Sequence, residues 1–436
     1  PGHIRYLKHA KDRGEKLVVA LIGDGTSSDK PRFQFNQEER AQSLAVLDFV
    51  DAVILLEDSE LNTAVIKLRP SYLVLGQEFK NKSDNNITEA IRLVGEYGNK
   101  VLFHAGDIHY STSALLTVSQ EEILNLRLLK FKEACKRQQL DLDRLLTSMR
   151  LWRGSRLIVL GDTILDQYAA CEAIGMSAEA PVVVVRELES RNFIGGASVV
   201  ASHIRSIGAQ CDLISVVGKD QTAELIKNQL KQLSIGQCLV EDPSRPTTFK
   251  KRYVVENQKL FRVSRLEDHK LDKEIENQVI ERLEELAPFS NGIVVSDFVY
   301  GVITERVLDV ILSLAKKYNI MLFGDLQCSS QVGEVTKFKN FSLLCPNERE
   351  ARVALKDKDS GLEQLCRNLI KLTNTERLIM KLGEEGFIAY DNEFGKEINQ
   401  PFPALSVNTL DVTGAGDSLL AVMSTGLSIG QPMMVT

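Results

Sequence analysis

Short runs of uninterrupted apolar residues, each followed by a helical pattern, recur along almost the whole chain. The first four lie at residues 17–22, 52–56, 72–75 and 101–103, with helical patterns such as 38–47 and 61–68 between them. A strand that is apolar along its full length needs cover on both faces, and helical crossovers make neighbouring strands parallel. Residues 1–118 therefore read as an α/β domain with a parallel sheet. The alternation resumes after residue 150, with strands at 157–160, 182–185, 213–217, 250–255, 292–296, 321–323 and 378–382. Helical patterns at 223–233, 275–286, 305–318 and 362–372 lie among them. Residues 151–436 thus read as a second α/β domain, and 436 residues are more than one core comfortably serves. Ligands of such sheets bind at the carboxyl ends of the strands.

Residues 119–150 read as a helical connector. Ser119-Gln120-Glu121-Glu122 is a helix start with an acidic first turn, and Leu124, Leu128, Phe131 and Cys135 then form an apolar stripe. A second helical piece runs over 140–149. These stripes need cover, either from their own domains or from another copy in a homo-oligomer, which is the expected assembly.

Composition narrows the function classes. A hydrophobic content of 44%, a charged content of 26% and a net charge of -6 describe a globular protein without the basic stripe of a general nucleic-acid binder. No apolar run reaches the roughly 18 residues of a membrane span, so neither nucleic acid nor membrane is expected as a partner. Cys135, Cys171, Cys211, Cys238, Cys328, Cys345 and Cys366 are odd in number and form no C-x-x-C pair. They read as reduced thiols of a cytoplasmic protein. The six histidines are scattered and make no metal site. The chain opens at Pro1 with no signal-peptide pattern, and its natural start is expected upstream.

The densest chemistry lies at Leu410-Asp411-Val412-Thr413-Gly414-Ala415-Gly416-Asp417-Ser418, just ahead of a helix-forming run. The backbone N–H groups of Gly414, Ala415 and Gly416 would open that helix without intrahelical partners, which suits a phosphate. Asp417 would be repelled by the anion, so its natural task is to take a proton from an attacking hydroxyl. A glycine turn with a capping Asp would use the same letters, and the other motifs decide between the two. Asp162 and Asp166 follow the strand at 157–160, where carboxylates either hold sugar hydroxyls or form a solvated turn. His3, at the start of the first helix, can cap it or stabilise charge on a transferred phosphate.

The first region resembles the cytidylyltransferase-like nucleotidyltransferases. Gly2-His3-Ile4-Arg5-Tyr6-Leu7 resembles the end of their H-x-G-H motif, and Glu38-Glu39-Arg40-Ala41 their E-E-R-A segment. Leu68-Arg69-Pro70-Ser71-Tyr72-Leu73-Val74 resembles L-R-P-D-x-L-V, and Ser111-Thr112-Ser113 a late nucleotide-binding turn. The resemblance implies a Rossmann-like nucleotidyltransferase fold and nucleotidyl transfer from ATP or CTP to a sugar 1-phosphate. His3 would be catalytic, with Arg40, Ser111, Thr112 and Ser113 on the nucleotide. The first histidine and its strand would precede Pro1. Ile22 stands where relatives begin N-S-D, and Leu75 where they carry a phosphate-contacting lysine.

The second region resembles the ribokinase family of sugar kinases over its whole length. Asp411-x-Thr413-Gly414-Ala415-Gly416-Asp417 resembles its signature, with Asp417 as catalytic base and Gly414, Ala415 and Gly416 as anion hole. Gly195-Gly196 resembles the sugar-binding di-glycine, and Asn347-x-x-Glu350 the N-x-x-E that organises Mg²⁺ through water. Lys381, Gly383, Glu384 and Gly386 lie in a segment resembling the nucleotide loop. Within the family the nearer likeness is to the kinase half of the bifunctional heptose 7-phosphate kinase/heptose 1-phosphate nucleotidyltransferases, with the order of the halves reversed. It rests on the segments at 161–168, 177–182, 246–252 and 296–297. This implies a substrate pocket with Asp162, Asp166, Gly195, Gly196 and Asp297, and with Lys250, Arg252 and Arg262 toward a sugar phosphate.

Val199, Tyr300 and Gln327 replace an asparagine and two lysines of that pattern, which shifts which sugar is accepted. Relatives continue past the position of Thr436, so a closing segment is expected beyond it. The sequence thus points to a bifunctional ATP-dependent carbohydrate kinase and nucleotidyltransferase making an activated, heptose-like sugar for lipopolysaccharide or another surface glycan. The alternatives are a kinase with an inactive nucleotidyltransferase-like module, and a non-enzymatic scaffold.

Overall fold

The computed structural model describes residues 2–24, 35–57, 60–76, 79, 85–104, 120–256, 258–327, 333–392, 398–406 and 413–436. The chain separates into two compact units, residues 1–119 with 356–368, and residues 120–355 with 369–436. Among the described residues no helix is long and apolar enough to cross a membrane.

The first unit runs α1 (Gly2–Lys11), β1 (Val18–Ile22), α2 (Gln37–Ala45), β2 (Ala52–Leu56), α3 (Leu61–Leu68), β3 (Tyr72–Gly76), α4 (Asn85–Glu96) and β4 (Lys100–His104). Helix α2 starts at a reciprocal cap: Asn36 Oδ1 accepts the Glu39 N–H and Glu39 returns a carboxylate to the Asn36 N–H. Val65, Ala90, Leu93 and Val94 form a small core beneath α3 and α4. The strands are parallel, as their apolar runs imply, but they form two separate pairs, β1 with β2 and β3 with β4. The single continuous sheet expected from the sequence is not formed among the described residues. Val18, Ile22, Leu55 and Tyr72 accordingly stay 38–48% exposed, because among the described residues no further strand or layer covers their sides.

The second unit begins with α5 (Gln120–Arg137) and α6 (Leu142–Leu151), the helices of the connector. There follow β5 (Arg156–Gly161), β6 (Thr163–Met176), β7 (Val183–Gly196), α7 (Ala197–Ser206), β8 (Gln210–Val217), α8 (Gln221–Gln232) and β9 (Gly236–Glu241). Then come β10 (Phe249–Val255), β11 (Gln258–Arg265), α9 (Lys273–Leu286), β12 (Gly292–Asp297), α10 (Glu305–Tyr318), β13 (Met321–Leu326) and β14 (Leu343–Leu344). The chain ends with α11 (Glu348–Leu355), α12 (Leu362–Thr373), β15 (Arg377–Lys381), β16 (Phe387–Asp391), β17 (Ile398–Phe402) and α13 (Ala415–Ser428). Helix α6 and the turn after it are tied to the C-terminal segment by the Trp152 indole N–H on Gln431 Oε1 at 2.9 Å and by Gln431 Nε2 on the Ser148 carbonyl at 2.9 Å.

Nine strands form the main sheet, in the order β17-β16-β15-β14-β13-β12-β5-β8-β9. It is parallel from β15 to β9, while β16 and β17 add an antiparallel edge. Leu157, Ile158, Val159 and Leu160 of β5 are wholly buried, as expected of a strand covered on both faces. From β5 the chain winds through β8 to β9 on one side and, later, through β12 to β15 on the other. The carboxyl ends of β5 and β12 therefore flank the switch point where such sheets bind ligands. A second sheet, β11-β10-β6-β7, stands apart from the first.

At the switch point the backbones of β5 and β12 come so close that a methyl group on Gly161 would overlap the Ser296 carbonyl oxygen. Asp162 and Asp297, expected in the substrate pocket, are instead only 2% and 1% exposed and serve the backbone. Asp162 accepts the N–H groups of Phe298 at 2.8 Å and Tyr300 at 3.3 Å. Asp297 accepts the Val299 N–H at 2.7 Å and pairs with Lys337. The strand ends are too tightly packed to leave either acid on the cleft wall. Burial, with Asp297 nearby, pushes the Asp162 carboxyl well above the usual carboxylate range, against the pull of the backbone N–H groups.

Two stability predictions follow from this packing. Gly161→Ala is expected to cost about 3 kcal/mol or more in chemical denaturation, because backbone must move to admit the methyl. For Asp162, a raised carboxyl pKa means that the folded state binds the proton more tightly than the unfolded chain, so its contribution falls as pH rises through that window. Asp162→Asn removes the titration and keeps an acceptor oxygen. Its melting temperature relative to the parent should therefore rise from about pH 5 to about pH 8; a pH-independent difference contradicts the assignment.

Candidate active site

A cleft of about 1860 Å³ opens in the second unit, lined by the β6, β7, β10 and β11 sheet, by the β15–β17 edge and by the start of α13. Helix α13 forms because its interior, led by Leu420, Ala421 and Met423, buries against the core. Its start turns sharply because Gly414 takes φ = 84°, a left-handed conformation that glycine adopts at no steric cost. Among the described residues, the amides of Gly414, Ala415 and Gly416 donate to no other group. They remain available as an anion cradle at the positive end of the helix.

Asp417, in the first turn, lines the cleft yet is only 6% exposed. Its Oδ1 accepts from Gln327 Nε2 at 2.6 Å. Burial pushes its carboxyl up to about 6, and Asp325 adds to the rise, while Lys381 and Gln327 oppose it. Such a carboxyl is ionised at neutral pH and is a far better proton acceptor than an ordinary aspartate. Beneath the cradle, the Lys381 ammonium lies 2.8 Å from both carboxylate oxygens of Asp325. It is also 3.2 Å from where a Cβ on Gly416 would stand. Lys381 therefore faces the cradle and the cleft, held by Asp325.

Gly383, Glu384 and Gly386 line the same cleft beside β16. Asn347 and Glu350 lie on its wall, joined by a reciprocal cap of α11 in which each side chain accepts the other's N–H at 2.8 Å. An oxygen pair already engaged in this way suits Mg²⁺ held through its own waters, which the ion gives up reluctantly. Among the described residues no three His, Cys, Asp or Glu side chains converge as a direct ligand set. The Asn347 and Glu350 oxygens fit Mg²⁺ held through water.

The β6–β10 wall carries the cations. Lys250 and Arg252 alternate with Lys251, so the first two share the cleft face while Lys251 pairs with Glu187 on the other. Lys250 is 2% exposed, with its ammonium 5.4 Å and 5.2 Å from the ring centres of Phe298 and Tyr300. Arg252 pairs with Asp166, and Arg262 lies opposite it in the β10–β11 ladder. Gly195 and Gly196 lie where the chain leaves β7, and a methyl on Gly195 would overlap the Asp166 carboxylate. His203 and Ser418 also face the cleft, with Nε2 and Oγ 3.2 Å apart, and burial lowers the histidine's proton affinity.

The cleft thus brings together the second-unit residues expected to bind or react, Asp162 and Asp297 excepted, while Tyr300 lies outside its lining and Asp411 outside the described residues. Asp325 went unnoticed because the apolar run of β13 stops at Phe323 while the strand continues to Leu326. Phe131 lines the cleft from α5 although its spacing marked it only as one residue of an apolar stripe. In the first unit, the Arg40 guanidinium pairs with Asp24 at 2.6 Å and donates to the Ile22 carbonyl. His3 lies in the first turn of α1, but its side chain falls outside the described residues, as do Ser111, Thr112 and Ser113.

The sequence profile of the pfkB family carbohydrate kinases matches residues 155–434, and that of cytidylyltransferase-like proteins matches residues 1–121. The Bifunctional protein HldE of Campylobacter jejuni subsp. doylei is 31% identical over 278 residues, covering 63% of this chain and 57% of its own length. That of Geobacter sulfurreducens is 32% identical over 277 residues, covering 63% and 55%. The chain thus spans little more than half the length of these relatives. Among solved structures, Escherichia coli phosphofructokinase-2 in complex with fructose-6-phosphate shares the fold at a TM-score of 0.52 and 18% identity, over 64% of this chain and 90% of that one. With its signature segment framing the cleft and the family profile spanning well over half its residues, the chain belongs to the pfkB family of carbohydrate kinases.

Proposed function

We propose that the second unit transfers the γ-phosphoryl group of ATP to a hydroxyl of a sugar phosphate. The observation that carries this reading is Asp417: a buried, cleft-facing carboxylate raised to about 6, beside three undonated amides at a helix start. Asp417 takes the proton of the sugar hydroxyl as its oxygen attacks the γ-phosphorus. The bond to the β-phosphate oxygen breaks, and ADP leaves with that electron pair. The amides of Gly414, Ala415 and Gly416 hold the charge on the phosphoryl oxygens, and Lys381 adds a cation beneath them. Mg²⁺, held through water near Asn347 and Glu350, supplies charge neutralisation between the phosphates when bound. Lys250, Arg252 and Arg262 provide a cationic wall for the phosphate already on the sugar, and Gly195 and Gly196 leave room for its ring.

The first unit, in this reading, uses His3 in transferring a nucleotidyl group from ATP or CTP to the resulting sugar 1-phosphate, with Arg40, Ser111, Thr112 and Ser113 on the nucleotide. The product is a nucleotide-activated, heptose-like sugar for lipopolysaccharide or another surface glycan, made in the cytoplasm by a homo-oligomer. The cytidylyltransferase-like match and the HldE relatives support it. A second reading, a kinase with an inactive first unit, is favoured by Arg40 being engaged by Asp24 and by Leu75 at the position of a phosphate-contacting lysine.

Asp417→Asn is expected to lower phosphoryl transfer from ATP to a panel of sugar phosphates by about 10³-fold or more, with a melting temperature no lower than the parent's; retention of activity overturns the kinase reading. In the parent, kcat/KM should fall about tenfold per pH unit below a midpoint near 6, as the base is protonated. For the first unit, sugar 1-phosphate with ATP or CTP should release pyrophosphate. Its absence with every combination selects the kinase-only reading.

A further inference from the structure

The two ends of the cleft differ in chemistry. The β6–β10 end holds Lys250, Arg252 and Arg262 and suits an anion. Beyond Lys381 and Glu384, the β15–β17 end is walled by Gly386, Phe387, Phe402 and Leu405. The ring centres of Phe387 and Phe402 lie 5.3 Å apart, with the planes tilted by 31°. The cradle of Gly414, Ala415 and Gly416 lines the cleft with both. A phosphorylated sugar belongs with the cations, which leaves the apolar end for the flat, uncharged part of the phosphoryl donor.

Helix α5 reaches this end. The Arg127 guanidinium donates to the Ser406 carbonyl at 2.6 Å, and Gln138 Nε2 donates to Gln400 Oε1 at 3.4 Å. The helix is thereby fastened along β17 and the residues that follow it. Phe131 lies one turn after Arg127 and two turns before Gln138, so it shares their helix face. It is half-buried and lines the cleft, while Ala134 on the same face is wholly buried. Leu126 and Leu129, on the opposite side, are 40% and 55% exposed.

We infer that α5, through Phe131, forms part of the wall that receives the purine base of the phosphoryl donor, which makes the connector a working part of the kinase cleft. The inference rests on the kinase reading. It assigns to a segment outside the family signature a contact with the donor, and it gives Phe131 a task that a buried stripe residue lacks.

The test is photolabelling of the full-length protein with 8-azido-ATP, followed by peptide mapping of label that excess ATP suppresses, counting only label within residues 120–436. The expected result is label on the peptides that carry Phe131 or residues 398–406. Phe131→Ala should reduce it about tenfold, as loss of an aromatic stacking partner does. Phe131→Tyr, which keeps the ring, should retain it, and both variants should melt with the parent. ATP-protected label elsewhere in residues 120–436, or label unaffected by Phe131→Ala, overturns the inference and leaves the kinase reading standing. Absence of any ATP-protected label in residues 120–436 overturns both.

Discussion

The buried pair of Lys381 and Asp325 is what allows the cleft to hold two kinds of charge at once. An anion cradle needs positive potential, and a general base beside it must stay negative without repelling the ligand. Here the Lys381 ammonium lies within 3.2 Å of where a Cβ on Gly416 would stand, while Asp325 fixes its position. Lys381 pulls the Asp417 carboxyl down as burial and Asp325 push it up, and the balance leaves it near 6. Without the cation, two buried carboxylates would face the same cradle and at least one would hold a proton through neutrality. Gln327, donating to Asp417 Oδ1, orients the base without adding a charge of its own.

The rest of the second unit is arranged to deliver these groups. Strands β13 and β15 flank the short β14 and present Asp325 and Lys381 near their carboxyl ends. Helix α13 packs behind them and points its first turn into the cleft. At the switch point, the closeness of β5 and β12 excludes side chains, so Asp162 and Asp297 turn inward and brace the Phe298–Tyr300 backbone. That bracing matters to the ligand wall, because Phe298 and Tyr300 flank the Lys250 ammonium. Acids expected to touch substrate are in this way positioning groups for a cation that does line the cleft.

Much of this was legible in the letters. The continuous apolar runs of β5, β8, β12 and β15 could only be strands of a parallel sheet covered on both faces. The Gly-Ala-Gly-Asp word marked its own helix start. The long β6–β7 ribbon was mostly illegible, because beyond the short apolar run at 182–185 its outer half is exposed on both faces and shows no clean alternation. Asp325 hid because its strand outlasts its apolar stretch. The Lys381 partner is 56 positions away in sequence, a pairing that only the sheet order reveals. The stripe on α5 was readable as an apolar face, but nothing in its spacing distinguished a residue that reaches a cleft from one that merely packs. In the first unit the strands were legible, whereas their division into two pairs was not, since ladder partners are not encoded in apolar runs.

The Asp417 carboxylate sits ionised at neutral pH beside the amide cradle, with its proton affinity raised by burial. Its direct measurement is a carbonyl-detected NMR titration of protein labelled at aspartate Cγ, with Asp417→Asn used to assign the resonance. A midpoint near 6 is the expected result, with a perturbation of the same resonance when inorganic phosphate is added. A midpoint in the ordinary aspartate range of about 3.9, insensitive to phosphate, would contradict it.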